Sequence, residues 1–258
     1  MKVTGTGRLA AVAGVAAIAT AGAVIARADD PGARTAQANG GLRVSPAGIE
    51  RQAAAGVANT VTVTNDSRET LEITVNARPW RQSSTGQTSP NRRRTLGGVS
   101  ISDKEFSLGS GDSKQLTVTK TSGSPLFGAL EVIGLPRNAD DRKGIVTGYR
   151  IVGALRFNPA ERTFKLSIGS LKVSKKSLVL SVRNSGNTVE PVIGNVRLKG
   201  PLGTRQTSVD STRILPRKRI SLPLMSTKRL TPGRYTATIT LRQGGQRFEA
   251  TKRVRIRR

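Results

Sequence analysis

The sequence contains no cysteine and no histidine, and aromatic residues make up only 3% of its 258 positions. Without cysteine there is no disulfide and no thiolate, so a chain of this composition must be held by ordinary hydrophobic cores. Without histidine the usual general base and the commonest metal ligands are missing as well. Asp, Glu, Ser and Lys could still catalyse, but nothing in their spacing points that way. Acids are scarce too, with 16 Asp or Glu against 43 Lys or Arg and a formal net charge of +27.

The long uncharged apolar run, "LAAVAGVAAIATAGAVI" at 9–25, follows a start made basic by Lys2 and Arg8. "ARA" (26–28) then supplies small residues for cleavage, so residues 1–28 are expected to be a secretory signal peptide. A retained membrane anchor is the alternative, although the run is short for a bilayer span. No cysteine follows for lipid anchoring. Residues 29–40, "DDPGARTAQANG", show no periodicity and read as a flexible leader.

From Leu42 onward the chain reads as strands. "NTVTVTN" and "TLEITVNA" alternate β-branched or apolar residues with polar ones, the period of a half-buried strand. "NDSRE" between them offers turn-forming side chains. "VSISDKEFSL", "KQLTVTK", "FGALEVIGL" and "IVTGYRIVGALRF" continue the series, and residues 81–98 read as a long loop or an extended hairpin tip. "NPAER" (158–162) marks the expected boundary. Beyond it, "TFKLSIGSLKVS", "SLVLSVRNSG", "VEPVIGNVRLKG", "RKRISLPLM", "GRYTATITLRQ" and "RFEATKRVRIRR" are the strand candidates.

The landmarks recur in order: "VTNDS" matches "VRNSG", and "GALEVIGL" matches "GRYTATITL". Asn65 and Asn184 are the paired positions. The expected fold is therefore all-β: two tandem immunoglobulin-like β-sandwich domains after a signal peptide, one over 41–159 and a basic one over 160–258. In "LTPGRYTATITL", Tyr235 is expected to brace a corner by bonding backbone upstream. Asn65, Asn184 and Tyr235 are thus structural candidates, and Trp80 is expected to plug the core, with an exposed anchor as the alternative.

Through "LRVSPAGIE", "VTVTNDSRETLEITV" and "FSLGSGDSKQLTV", the first half resembles the amino-terminal module of bacterial periplasmic pilus chaperones and of WxL-interacting cell-surface proteins. The second half resembles their carboxy-terminal module through "VRNSGNTVEPVIGNVRLKG", "ILPRKRISLPL" and "LTPGRYTATITL". The resemblance implies two sandwiches that bind a protein by edge-strand addition, at "IVTGYRIVGALRF" or "LRVSPAGIE". Pilus chaperones anchor a subunit carboxylate with a Lys and an Arg. Here "GYRIVGALRFNP" has no Lys, so Arg51, Arg150 and Arg156 are the protein-binding candidates without a transferred anchor. Unlike WxL-interacting proteins, the sequence ends at "TKRVRIRR" with no hydrophobic span or sorting signal, which implies release or non-covalent retention.

Charge is unevenly placed. Residues 160–258 hold 23 Lys or Arg against the acids Glu161, Glu190, Asp210 and Glu249. Genomic arginine bias explains an excess of Arg but not this shortage of acids. The polyanion-binding candidates are Arg217, Lys218 and Arg219, then Lys228 and Arg229, then Arg253, Arg255 and Arg257 on a strand whose Val254 and Ile256 turn inward. Anionic wall polymer or an anionic lipid surface fits an exported basic sandwich. Export and the shortage of aromatic platforms argue against nucleic acid. "RRR" at 92–94 could equally grip an anion or lie solvated in its loop. "GSGDSK", "SKKS" and "SDKE" lack the context of a phosphate loop, a nucleophile or a carboxylate pair. The reading is of an exported, non-catalytic cell-envelope binding or scaffold protein that needs no cofactor or metal and binds other envelope proteins and a polyanion. The alternative is a periplasmic-type chaperone for surface or pilus subunits. Oligomeric state is left open.

Overall fold

The period-two segments form strands that pair in four sheets. The structure, a computed structural model, describes residues 40–257. The expected signal peptide (1–28) and the expected leader (29–40, but for Gly40) lie outside the described residues. The first sandwich contains β1 (Leu42–Ser45), β2 (Gly48–Gln52), β3 (Ala58–Asn65), β4 (Leu71–Gln82), β5 (Thr88–Pro90), β6 (Val99–Ile101), β7 (Glu105–Leu108), β8 (Ser113–Lys120), β9 (Leu126–Pro136) and β10 (Tyr149–Asn158). One sheet has the order β1-β3-β8-β6. The facing sheet has the order β2-β10-β9-β4-β5, with β7 also on β4.

The second sandwich contains β11 (Leu166–Ser174), β12 (Ser177–Asn184), β13 (Pro191–Gly200), β14 (Gly203–Arg213), β15 (Arg219–Ser226), β16 (Gly233–Gln243) and β17 (Gln246–Ile256). Its sheets run β11-β12-β15 and β14-β13-β16-β17. Among the described residues the one helical segment is a 3-10 turn, Thr227–Arg229. The chain is thus all-β with two immunoglobulin-like sandwiches, each with its own core. Val61, Val63, Leu71, Ile73, Val132, Leu155 and Phe157 fill the first, and Leu178, Leu180, Val182, Val196, Ile239 and Leu241 the second. Alternation dictates this, because every second side chain of a strand faces the partner sheet.

The two sandwiches share one internal brace. Asn65 ends β3 fully buried, and its Nδ2 donates to the carbonyls of Glu69 (2.7 Å), Leu108 (2.9 Å) and Gly109 (3.0 Å). Its Oδ1 accepts from the backbone N–H of Ser67 at 2.9 Å. Asn184 ends β12 equally buried, with Nδ2 on the carbonyls of Thr188 and Ile214, both 2.7 Å, and Oδ1 on the Gly186 N–H at 2.9 Å. In each case the amide holds the turn that follows it and a distant strand end. Tyr235, on β16, donates its hydroxyl to the Thr231 carbonyl at 2.8 Å.

Three local expectations change. "VSISDKEFSL" is not one strand: β6 pairs with β8 and β7 with β4, so the chain switches sheets through Ser102–Lys104. β14 lies where no strand was expected, because it is an edge strand with only Val209 buried and hence no alternating apolar pattern. Trp80 is half-buried and lies outside both buried clusters.

Candidate strand-docking edge

β10 is paired on one side throughout and on the other side only in part. β9 accompanies it from Tyr149 to Phe157, whereas β2 covers Ala154 to Asn158 in parallel register. On the covered side, the Ala154 N–H donates to the Ala47 carbonyl at 3.3 Å. Backbone polar groups alternate sides along a strand, so Arg150 and Val152 aim their N–H and C=O at the side with no strand partner. A row of unpaired donors and acceptors of this kind is a template for another extended chain.

Apolar side chains surround that edge. Ile145 is fully exposed, Leu135 is 47% exposed and Val152 is 37% exposed. Ile145 lies four residues before Tyr149, the first residue of β10, and outside any strand. Beside it, a cleft of about 360 Å³ is lined by Ser67, Glu69, Leu71, Pro136, Ile145 and Tyr149. The β9–β10 connection above it is tied down by Arg142, whose guanidinium reaches Glu69 at 2.7 Å, and by Arg137 on Glu72 at 3.2 Å.

Behind the edge, on the outer face of the same sheet, Glu131 is buried to 1% exposure among Arg150 at 2.7 Å, Arg92 at 3.2 Å and Arg78 at 3.5 Å. Burial pushes its carboxyl up, but the hydrogen bonds and charges of Arg150 and Arg92 outweigh that and hold it below its ordinary value. A lone Glu in the apolar run "GALEVIGL" was the sequence signal for this cluster, and only the fold supplies its three arginines.

Of the protein-binding candidates, Arg150 is therefore committed to Glu131, and Arg156 bonds Glu50 at 3.0 Å. Asn158 also reaches Glu50, at 3.2 Å. Arg51 is exposed at the end of β2, with Nε 3.4 Å from Asn59 Oδ1. It borders a cleft of about 520 Å³ between β2 and β3, the place where the chain crosses from one sheet to the other.

The polyanion candidates are not brought together. Arg219 starts β15 opposite Arg183, and the Arg217 N–H donates to the Asn184 carbonyl, so Arg217, Lys218 and Arg219 lie at the end of the sandwich nearest β10. Lys228 and Arg229 belong to the 3-10 turn after β15, at the opposite end, where β17 finishes with Arg253, Arg255 and then Arg257. Among the described residues no cluster of three or more acidic side chains could hold a metal ion, and no helix is long and apolar enough to cross a membrane.

No family model matches the sequence, and no curated protein does. Solved structures do share its fold. A chain of a chaperone–tip adhesin complex from CFA/I fimbriae biogenesis aligns with a TM-score of 0.53 at 17% identity, covering 82% of this chain and 98% of that one. The class 5 fimbriae chaperone CfaA aligns with a TM-score of 0.51, at the same identity and coverage. The chain has the fold of a fimbrial chaperone. At that identity the likeness extends to architecture alone.

Proposed function

We propose that this chain is an exported, non-catalytic chaperone-type binding protein of the cell envelope, which holds an extended segment of another envelope protein against β10. The observation that carries the reading is the half-covered edge, where Arg150 and Val152 offer backbone groups to no partner strand. Main-chain pairing supplies affinity in such complexes, and pockets for alternate side chains supply selectivity. The cleft beside Ile145 and Tyr149 would take an apolar side chain of the incoming segment. Arg51, with no carboxylate partner among the described ion pairs, could receive an acidic group or a chain terminus. The shared fold with a fimbrial chaperone favours this reading over a general wall scaffold.

Proline separates the edge from the fold. Val152→Pro deletes an N–H that faces away from β9, which edge strands tolerate, whereas Ile151→Pro deletes one from the β9 ladder. Both variants would be expressed in the native envelope and recovered with their bound proteins. The expected result is a folded Val152→Pro chain that has lost a stoichiometric partner, alongside an unfolded Ile151→Pro chain. A folded Val152→Pro chain that keeps its partner at wild-type yield would overturn the proposal.

A further inference from the structure

A second surface lies on the solvent face of β14-β13-β16-β17, and its register puts cations in rows. Lys199, Thr236 and Arg253 are in line across β13, β16 and β17, as are Arg197, Thr238 and Thr251 two residues further along. On the other side of the first row Arg234 stands directly opposite Arg255. All of these except Lys199 and Arg197 alternate with the buried Tyr235, Ala237 and Ile239 or the inward Val254 and Ile256; those two alternate with the buried Val196 and Leu198. Strands about 4.8 Å apart and a rise of about 3.4 Å per residue place the backbones of neighbouring cations about 5 to 10 Å from one another, nearest at Arg234 and Arg255. None of the five cations has a carboxylate partner among the described ion pairs, and Glu249, further along β17, is already bonded to Arg247.

Like charges directly opposite in a sheet destabilise it. The Arg234–Arg255 pair is therefore a standing cost that a bound anion would relieve. We infer that this face binds a flexible phosphodiester polymer without bases, of the polyol-phosphate kind. Guanidinium groups grip phosphate oxygens, and the threonine hydroxyls between them add donors to the same oxygens. The rows carry no aromatic side chain, so there is no platform for stacked bases. The exposed aliphatic residues on these strands and turns, Ile193 at the far end of β13 and Leu202 in the turn after it, are single and nine residues apart, too little for insertion into a lipid surface. The site differs from the one expected from sequence: Arg197 and Lys199 join Arg253 and Arg255, while Arg217, Lys218 and Arg219 stand at the other end. It is independent of the β10 edge.

The full chain should be titrated with soluble poly(glycerol phosphate), a single-stranded oligonucleotide of equal charge, and phosphatidylglycerol vesicles. With five contacts, affinity for the polymer should fall on the order of 100-fold between about 0.05 and 0.2 M salt. The variant Arg197→Gln, Lys199→Gln, Arg253→Gln, Arg255→Gln should lose at least about tenfold in affinity and most of that salt slope. Its Tm should be no lower than wild type. A charge-matched variant at Lys172, Arg217, Lys218 and Arg219 should lose less than about threefold. Equal losses from both variants would reduce the face to part of a diffuse basic coat and overturn the proposal. Tighter binding of the oligonucleotide or of the vesicles would also overturn it.

Discussion

Single side chains do much of the specifying here. Asn65 and Asn184 replace whole networks: each amide satisfies carbonyls that a turn and a strand end would otherwise leave unbonded in the interior. Glu131 has a different task, holding Arg78, Arg92 and Arg150 on the outer face behind the β10 edge. Removing its charge leaves those guanidinium groups facing one another. Glu131→Gln should cost about 1–3 kcal/mol at neutral pH, below the value for a fully buried pair because Arg92 and Arg150 are partly in water. The pH dependence gives the sign. The folded carboxyl titrates below its ordinary 4.5, so the stability it contributes is complete above that value and is lost as pH falls through the folded value. Urea unfolding at stepped pH should show the wild type converging on the variant below about pH 4.5. A gap that stays constant to strong acid would show that the charge of Glu131 contributes nothing.

Among elements, the β4–β5 hairpin reaches from the first sandwich to the second. Gln82 ends β4, and its side chain bridges two backbone groups of the second sandwich. Nε2 donates to the Arg213 carbonyl at 2.7 Å, and Oε1 accepts from the Leu215 N–H at 3.0 Å. The Ser221 N–H, on the outer edge of β15, donates to the Ser84 carbonyl at 2.6 Å. Gly86 fits there with φ +95°, because a side chain would press on Ile220 and Thr212. The hairpin tip thus covers part of the β15 edge and joins the two sandwiches. Gln82→Ala should speed hydrogen exchange at the Leu215 amide by about fivefold, as expected from losing a bond worth roughly 1 kcal/mol, with Val182 and Ile239 unchanged. Unchanged exchange at Leu215 would mean the bridge is not formed in solution. None of this was legible in "RQSSTGQTSP", which shows a polar hairpin but not its destination. The strands with alternating Val, Leu and Ile were legible, as were the two turns built on Asn65 and Asn184. β14 was not, because an edge strand with one buried residue has no periodicity to read. The acceptor edge of β10 was legible as a strand, while its openness depends on β2 beginning only opposite Ala154.

Across the whole molecule, charge and pairing divide unequally between the sandwiches. Ion pairs on the first sandwich join Glu50, Asp66, Glu69, Glu72, Asp103 and Glu131 to arginine or lysine. In the second, among the described residues, Arg162–Glu190 and Arg247–Glu249 are the pairs, against 23 basic residues in the sequence over 160–258. Self-repulsion at that density opposes the compact state, and salt screens it within a Debye length of about 8 Å at 0.15 M. The second sandwich should therefore gain stability as ionic strength rises, and the first should hardly respond. Trp80, the sole tryptophan, lies on β4 and reports the first sandwich by fluorescence, whereas far-ultraviolet circular dichroism reports the strands of both. Raising salt from about 0.01 to 0.15 M should move the dichroism transition upward by several degrees, as a gain of about 1 kcal/mol would in a domain of this size. The Trp80 transition should move less. If both transitions fell with salt, unpaired arginines would not be limiting the second sandwich, and its charge would have to be balanced by contacts that salt weakens.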